Sequence, residues 1–298
     1  MKSSIIIINK NEEGIKDTLI SLSKLTENDF EVIVVDGSNH KFDSIKSKYP
    51  KVKWLDFISQ STNKVSIAEQ RNVGINNAQG EIIVFIDASC ILDNTEWLKN
   101  LINPILKESE DIVRGTLSNT QNYITVTEKI NSSVYVTEAP TINVAIRKSV
   151  FEDIGLFDES YSYGSDMDFT WRATYAGYKI RYVQDAGVSH DFGDTKQNFK
   201  RYKNYGKARA KLYFNHPYYL SRIVNYELQS IIYFAIICLA PVVVIFPLYS
   251  VVLLGLIVLS LKGGNPSKEL TERFSFGWGM ILGFFSELSL KMKASSAS

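Results

Sequence analysis

Along the first 190 residues, short apolar runs alternate with amphipathic stretches. Residues 4–8, 31–36, 52–57 and 81–87 are rich in β-branched side chains and read as strands, while 15–24, 66–78 and 95–107 carry helical spacing. A β-α-β-α order predicts an α/β fold with a mostly parallel sheet and helices on both faces. Ligands of such sheets bind at the carboxyl ends of the strands. That rule singles out the residues after the first strand (9–12), Asp36-Gly37-Ser38 after the second and Asp87-Ala88-Ser89 after the fourth.

The pattern changes after Glu227. Residues 228–261 contain no charged side chain. One bilayer crossing takes about 20 apolar residues and two take about 40. Pro241 and Pro247 each remove a backbone donor, which predicts a helix near 228–245, a break at Phe246-Pro247-Leu248 and a second helix to 261, a transmembrane hairpin. Its alternative is a buried helical hairpin of a soluble core. The preceding segment, 196–222, carries Lys196, Lys200, Arg201, Lys203, Lys207, Arg209, Lys211 and Arg222 with no acidic residue, interleaved with tyrosines. That mixture suits a cytoplasmic-side segment at the level of anionic headgroups. Residues 274–290, with five aromatic side chains and three glycines, predict a third helix, interfacial or inserted. The expected organisation is therefore a catalytic domain over 1–195, a basic juxtamembrane region over 196–227, the hairpin over 228–261 and an interfacial helix with a tail over 262–298.

Charge and cysteine content narrow the classes. Lysine plus arginine (33) nearly cancels aspartate plus glutamate (32), so no global field points to nucleic acid, and none is expected as a partner. Cys90 and Cys238 stand far apart without a Cys-x-x-Cys or Cys/His spacing, which argues against a disulfide framework or a structural zinc site and fits a reducing compartment. No signal-peptide core follows the N-terminus, which predicts a catalytic domain on the cytoplasmic face of a membrane.

Several blocks then carry a resemblance. Ile5-Ile6-Ile7-Ile8-Asn9-Lys10-Asn11-Glu12-Glu13, Asp36-Gly37-Ser38, Ala68-Glu69-Gln70-Arg71-Asn72-Val73-Gly74-Ile75 and the strand ending in Asp87-Ala88-Ser89 are followed by Asn143-Val144-Ala145-Ile146-Arg147, Gly155-Leu156-Phe157-Asp158-Glu159, Asp166-Met167-Asp168-Phe169-Thr170-Trp171-Arg172 and Ala176-Gly177-Tyr178. In this order over about 185 residues they resemble the family 2 glycosyltransferases. The resemblance implies a GT-A fold, a Rossmann-like mixed sheet that binds a nucleotide-diphosphate sugar, with membrane-associated helices after it. It implies donor contacts at Asn9, Lys10, Glu12, Asp36, Arg71 and Asp87.

Each position also has a bottom-up reading. Asp36, at a strand end, could accept a hydrogen bond from a base ring N–H, or Asp-Gly-Ser could be simply a turn. Arg71 offers a planar fork suited to a diphosphate, or is a helical surface arginine. Asp87 ends an apolar strand, where a carboxylate is costly unless it pairs or binds metal. The resemblance implies Mg²⁺ or Mn²⁺ there, with Asp87, Ser89 and His190 as its ligands. Ser89 stands where the family has a second carboxylate and is a weaker ligand for a hard cation.

Asp166 and Asp168 are the acid/base candidates, since inverting transfer needs an acceptor-side carboxylate to take the hydroxyl proton. The resemblance assigns the base to Asp166 and leaves Asp168 to support it or bind acceptor, with Ser165 where relatives have glutamate. The bland reading makes Asp166 the N-cap of a helix over 168–175. A Gln-x-x-Arg-Trp motif is absent, which favours one sugar per encounter. The expected function is an inverting transfer to a lipid-linked or other glycan acceptor. Its alternatives are a catalytically silent nucleotide-sugar-binding membrane scaffold, motivated by Ser89 and Ser165, and a soluble nucleotidyltransferase, which leaves 228–261 unexplained.

Overall fold

The computed structural model describes residues 2–58, 66–118, 134–190, 195–261 and 266–296. The chain divides into two compact units, Met1–Asp191 and Phe192–Ser298. In the first unit the elements are β1 (Ser3–Asn9), α1 (Ile15–Leu22), β2 (Phe30–Asp36), α2 (Asp43–Lys46), β3 (Lys53–Asp56), α3 (Ile67–Asn76), β4 (Ile82–Ile86), β5 (Cys90–Leu92), α4 (Trp97–Lys107), β6 (Ile112–Ser118), β7 (Tyr135–Val136), β8 (Asn143–Arg147), α5 (Lys148–Ile154), α6 (Ser165–Tyr175) and β9 (Ile180–His190).

These strands form one mixed sheet in the order β3-β2-β1-β4-β8-β6-β9-β5, with β7 on β9. The first four run parallel, as the alternating pattern predicts, and β8 then enters antiparallel against β4. The parallel part is apolar on both faces: every residue of β4 is buried, as are Ile5, Ile6, Ile7, Ile33, Val34 and Val35. Such strands need helices on both sides to keep water from them. Helix α3 starts one residue later than the pattern suggests, because Ser66 is its cap and accepts a hydrogen bond from the Glu69 N–H at 3.3 Å.

Asp166 is not a cap. Gly164, in the left-handed region at φ 79°, caps α6, and the helix begins at Ser165, so Asp166 stands inside the first turn. A non-glycine residue at that φ would be strained.

The second unit comprises α7 (Thr195–Asn215), α8 (Leu228–Cys238), α9 (Tyr249–Leu261) and α10 (Pro266–Ser296), with 3-10 turns at Pro217–Tyr219 and Ala240–Val244 and a π-helical turn at Ile223–Glu227. The break at Pro247 is where the sequence suggests it, but the first apolar helix ends at Cys238 and not near 245. Pro241 is the reason: it has no N–H, its ring opposes the carbonyl four residues back, and the chain tightens into a 3-10 turn. No helix among the described residues is long and apolar enough to cross a membrane. Helix α10 is one continuous element of 31 residues.

Glycines set the spacing of these helices. A Cβ on Gly279 would lie 2.0 Å from the Lys203 carbonyl oxygen, one on Gly206 would lie 2.1 Å from that of Phe276, and one on Gly277 would lie 2.3 Å from that of Ser230. Helix α10 therefore meets α7 and α8 backbone to backbone. Gly279→Ala should destabilise the protein by about 1–3 kcal/mol, since backbone atoms must separate. Gly255→Ala, where an added Cβ meets nothing within 4 Å, should be neutral or slightly stabilising. Thermal unfolding followed by circular dichroism distinguishes the pair, and equal midpoints would refute the close-packing argument.

Candidate functional site

The site is built on the carboxyl ends of β1, β2 and β4, the first turn of α6 and the end of β9. Asp87 follows directly on β4 and keeps a partly exposed surface. Burial pushes its carboxyl pKa up; Arg71 and His190 pull against that shift, and the charge of Asp166 adds to it. Arg71 from α3, Asp166 from α6 and His190 from β9, scattered over 120 positions in sequence, thus all act on the charge of Asp87 at the end of β4. His190 pairs with Cys90 in the β5–β9 ladder, which fixes it beside the turn that follows Asp87.

Arg71 is 6% exposed. Its Nη1 donates to the Ser165 hydroxyl at 3.3 Å, and its guanidinium lies 5.6 Å from the centre of the Phe157 ring. Asn72 beside it donates to the Phe157 carbonyl at 2.9 Å and to Glu159 at 2.8 Å, and accepts from the Phe157 N–H at 3.1 Å. The Arg-Asn pair of α3 therefore holds the loop that leads into Asp166. Sequence reasoning gave Asn72 no role; its place next to a candidate arginine was the available signal.

Asp166 is half-buried, and its Oδ1 accepts from the Met167 N–H at 2.9 Å. Asp168 is buried and engaged otherwise: its Oδ2 accepts from Arg172 Nε at 2.9 Å, and the same guanidinium donates to the carbonyls of Ile154 at 2.5 Å and Leu156 at 2.8 Å. The pair clamps the α5–α6 connection, so Asp168 positions Asp166's helix. Phe151, Phe157 and Phe169 pack beneath it with centroids 4.8–6.0 Å apart. Trp171, fully buried on α6, donates through Nε1 to Glu138 at 2.8 Å, a carboxylate the sequence did not flag.

At the β1–β2 end, Asn9 is buried. Its Nδ2 donates to Asp36 Oδ1 at 3.3 Å and its Oδ1 accepts from the Glu12 N–H at 3.2 Å. Asn9 therefore joins the two strand ends. Lys10 and Glu12 stay exposed in the loop after β1. Asp36 also accepts from the Ser38 N–H at 3.1 Å, with Lys46 Nζ 3.6 Å from its Oδ2; its side chain is fully buried, and Oδ2 has no hydrogen-bond partner. Burial pulls the Lys46 pKa down, but Asp56, Asp43 and Asp36 outweigh it and raise the pKa overall. A buried oxygen without a donor is costly, and a base N–H would satisfy it. Gln70 closes this corner by donating to the carbonyls of Asn9 and Val35 at 3.2 and 3.0 Å.

Ser89 adopts a left-handed backbone, φ 72°, and its hydroxyl lies against Gly14, 2.2 Å from where a Cβ on that glycine would stand. Among the described residues no group of three or more His, Cys, Asp and Glu side chains is arranged to hold a metal ion. The carboxylate of Asp87 and the imidazole of His190, near enough to act on the same charge, are the ligand types a divalent cation could use if it drew its remaining ligands from phosphate oxygens and water, as magnesium commonly does.

Comparison with known proteins agrees with this architecture. Residues 4–163, over half of the chain, match the family model described as glycosyl transferase family 2. Glycosyltransferase AglE of Haloferax volcanii is 28% identical over 225 residues, 71% of this chain and 73% of that protein. The pre-mycofactocin glycosyltransferase of Mycobacterium tuberculosis is 24% identical over 233 residues, 72% of this chain but 47% of that protein, so the chain spans about half the length of that relative. Among solved structures, the mannosyltransferase PcManGT from Pyrobaculum calidifontis, in complex with GDP-Man and Mn²⁺, superposes with a TM-score of 0.64 at 16% identity, covering 96% of this chain and 87% of its own. Residues 1–349 of S. aureus TarS, in complex with UDP-GlcNAc, give a TM-score of 0.53 at 23% identity over 72% of this chain and 67% of theirs. At such identities both establish the fold, a GT-A mixed sheet. With the family model matched over more than half its length, the chain belongs to glycosyl transferase family 2 and is a glycosyltransferase.

Proposed function

We propose that the enzyme moves one sugar from a nucleoside diphosphate sugar to an acceptor hydroxyl, with inversion at the anomeric carbon, at the cytoplasmic surface of a membrane. The observation that carries this reading is the hydrogen bond from Arg71 to Ser165 at 3.3 Å, which sets the first turn of α6, with Asp166 in it, beside the arginine whose charge also acts on Asp87. Asp166 takes the acceptor proton as the acceptor oxygen bonds to C1. The bond from C1 to the diphosphate breaks, and the nucleoside diphosphate leaves with the electron pair. Arg71, with only part of its fork spent on Ser165, turns its charge toward the departing diphosphate. Asp36 Oδ2, which has Lys46 as ion-pair partner but accepts no hydrogen bond, receives a ring N–H of the base. The UDP-GlcNAc complex of TarS and the GDP-Man complex of PcManGT support the donor class.

Asp87 and His190 would hold a divalent cation, which when bound neutralises charge on the diphosphate. The basic 196–222 segment and the exposed Phe284, Phe285 and Met292 of α10 support the membrane site, and a lipid-linked acceptor follows from it.

Two outcomes are expected. Asp166→Asn should lower sugar transfer by about 10²–10⁴-fold while donor affinity, measured by titration calorimetry, stays within a small factor. Transfer at wild-type rate would remove Asp166 as base, and donor binding without turnover by the wild-type chain would leave a binding protein. Asp87 yields a pH dependence. Its pKa in the folded state lies above the ordinary 3.8, so its stabilising contribution is complete below that value and is lost as pH rises through the folded pKa. Asp87→Asn, which stays neutral, should match the wild type in acid and exceed it in thermal stability at neutral pH. Added Mn²⁺ should stabilise the wild type and not the variant; equal stabilisation would exclude Asp87 as a ligand.

A further inference from the structure

We infer that the apolar hairpin of the second unit is re-entrant: it enters the bilayer from the face that holds α7, turns inside the hydrocarbon and returns, with no part reaching the opposite surface. This rests on the membrane reading above and changes its geometry, since the sequence pattern suggested a hairpin that spans.

The turn itself is the first reason. Val244, Ile245, Phe246 and Leu248 are 87, 74, 65 and 84% exposed, the most open apolar stretch of the unit, and Pro247 completes a turn without one polar side chain. A spanning hairpin has to reverse among headgroups and water on the far side, where loops carry polar residues. This one reverses through groups that only hydrocarbon solvates well.

Hydrogen bonding gives the second reason. The polar side chains from 239 to 261 are Tyr249, Ser250 and Ser260. Each is turned onto the backbone of the unit: the Tyr249 hydroxyl donates to the Ile236 carbonyl at 2.8 Å, Ser250 to Pro247 at 2.6 Å and Ser260 to Ile257 at 2.7 Å. The first of these joins α9 to the last turn of α8, where helix carbonyls lose their usual donors. Internal satisfaction of that kind is what a solvent without hydrogen bonds requires.

Length is the third. Helix α9 has 13 residues and rises about 20 Å, against a hydrocarbon core of about 30 Å. An arm of that length, with its foot at the near headgroups, leaves the turn about 10 Å short of the far ones. Elsewhere in the unit, cations stack on aromatic rings: Lys203 over Trp278 at 4.0 Å, Arg222 over Tyr226 at 4.9 Å and Lys291 over Phe214 at 4.9 Å. These pairs suit the level of the headgroups. The turn has neither lysine, arginine nor tryptophan to anchor it at a headgroup layer.

The test uses the full chain in vesicles of phosphatidylcholine and phosphatidylglycerol. Exposed Cys238 is replaced by serine, Cys90 is left in place because it is buried, and a single cysteine is introduced as Leu248→Cys or, in a second variant, Val244→Cys. Ser44→Cys, exposed on the first unit, reports an accessible site. Flotation with vesicles tests the membrane reading alone, and its failure would overturn both. With flotation established, a membrane-impermeant maleimide is supplied outside or trapped inside. The expected result is that Leu248→Cys and Val244→Cys resist labelling from both sides and label in detergent, while Ser44→Cys labels from one side. A bimane on position 248 should be quenched by lipids brominated deep in the acyl chain more than by those brominated near the headgroup. Labelling of the turn from the side opposite Ser44 would show a spanning hairpin, and labelling from the same side would show no insertion; either overturns the inference.

Discussion

Strand β4 is buried along its whole length, and the chain leaves it at Asp87. A carboxylate there sits at the end of an apolar core and beside the floor of the cleft, where its charged form is disfavoured. The groups that ease this come from far apart in the chain, Arg71 from α3 and His190 from the end of β9. Arg71 in turn leans on Ser165 and Phe157, so the loop before α6 takes its position from the same arginine. The sheet end at Asp87 and helix α6 are thereby tied through one guanidinium, and the remaining hydrogen bonds of Asn72 and Arg172 keep that tie in register.

The two serine replacements have different structural meanings. Ser165 leaves Arg71 with a neutral partner in place of an anionic one, so more of the arginine's charge is available to a bound diphosphate. Ser89 occupies a left-handed turn pressed on Gly14, where its small side chain fits the backbone of the loop before α1. One substitution concerns charge, the other space.

The parallel half of the sheet was legible because fully buried strands leave unbroken apolar runs, and residues at their carboxyl ends could be picked out by rule. The antiparallel half was not: β5 and β7 are three and two residues long, and β9 mixes exposed and buried positions over eleven residues, so neither period emerges. Family blocks identified Arg71, Asp87, Asp166 and His190, which the fold then brings together. They could not reveal that Asp168 is spent on Arg172, that Gly164 and not Asp166 caps α6, or that Glu138 receives Trp171, because each depends on distances across the chain. Likewise the uncharged run announced a break at Pro247, but Pro241's effect on the end of α8 required the backbone itself.

The glycine contacts of α10 with α7 and α8 bear on the order of events during biogenesis. Side-chain cores owe their cohesion to the expulsion of water and weaken when the surroundings become oil. Backbone surfaces in direct apposition depend instead on dispersion and shape, which are nearly the same in either medium. On the proposed membrane reading, helices α7, α8 and α10 can consequently associate before or after lipid is met, and their arrangement need not be rebuilt on arrival.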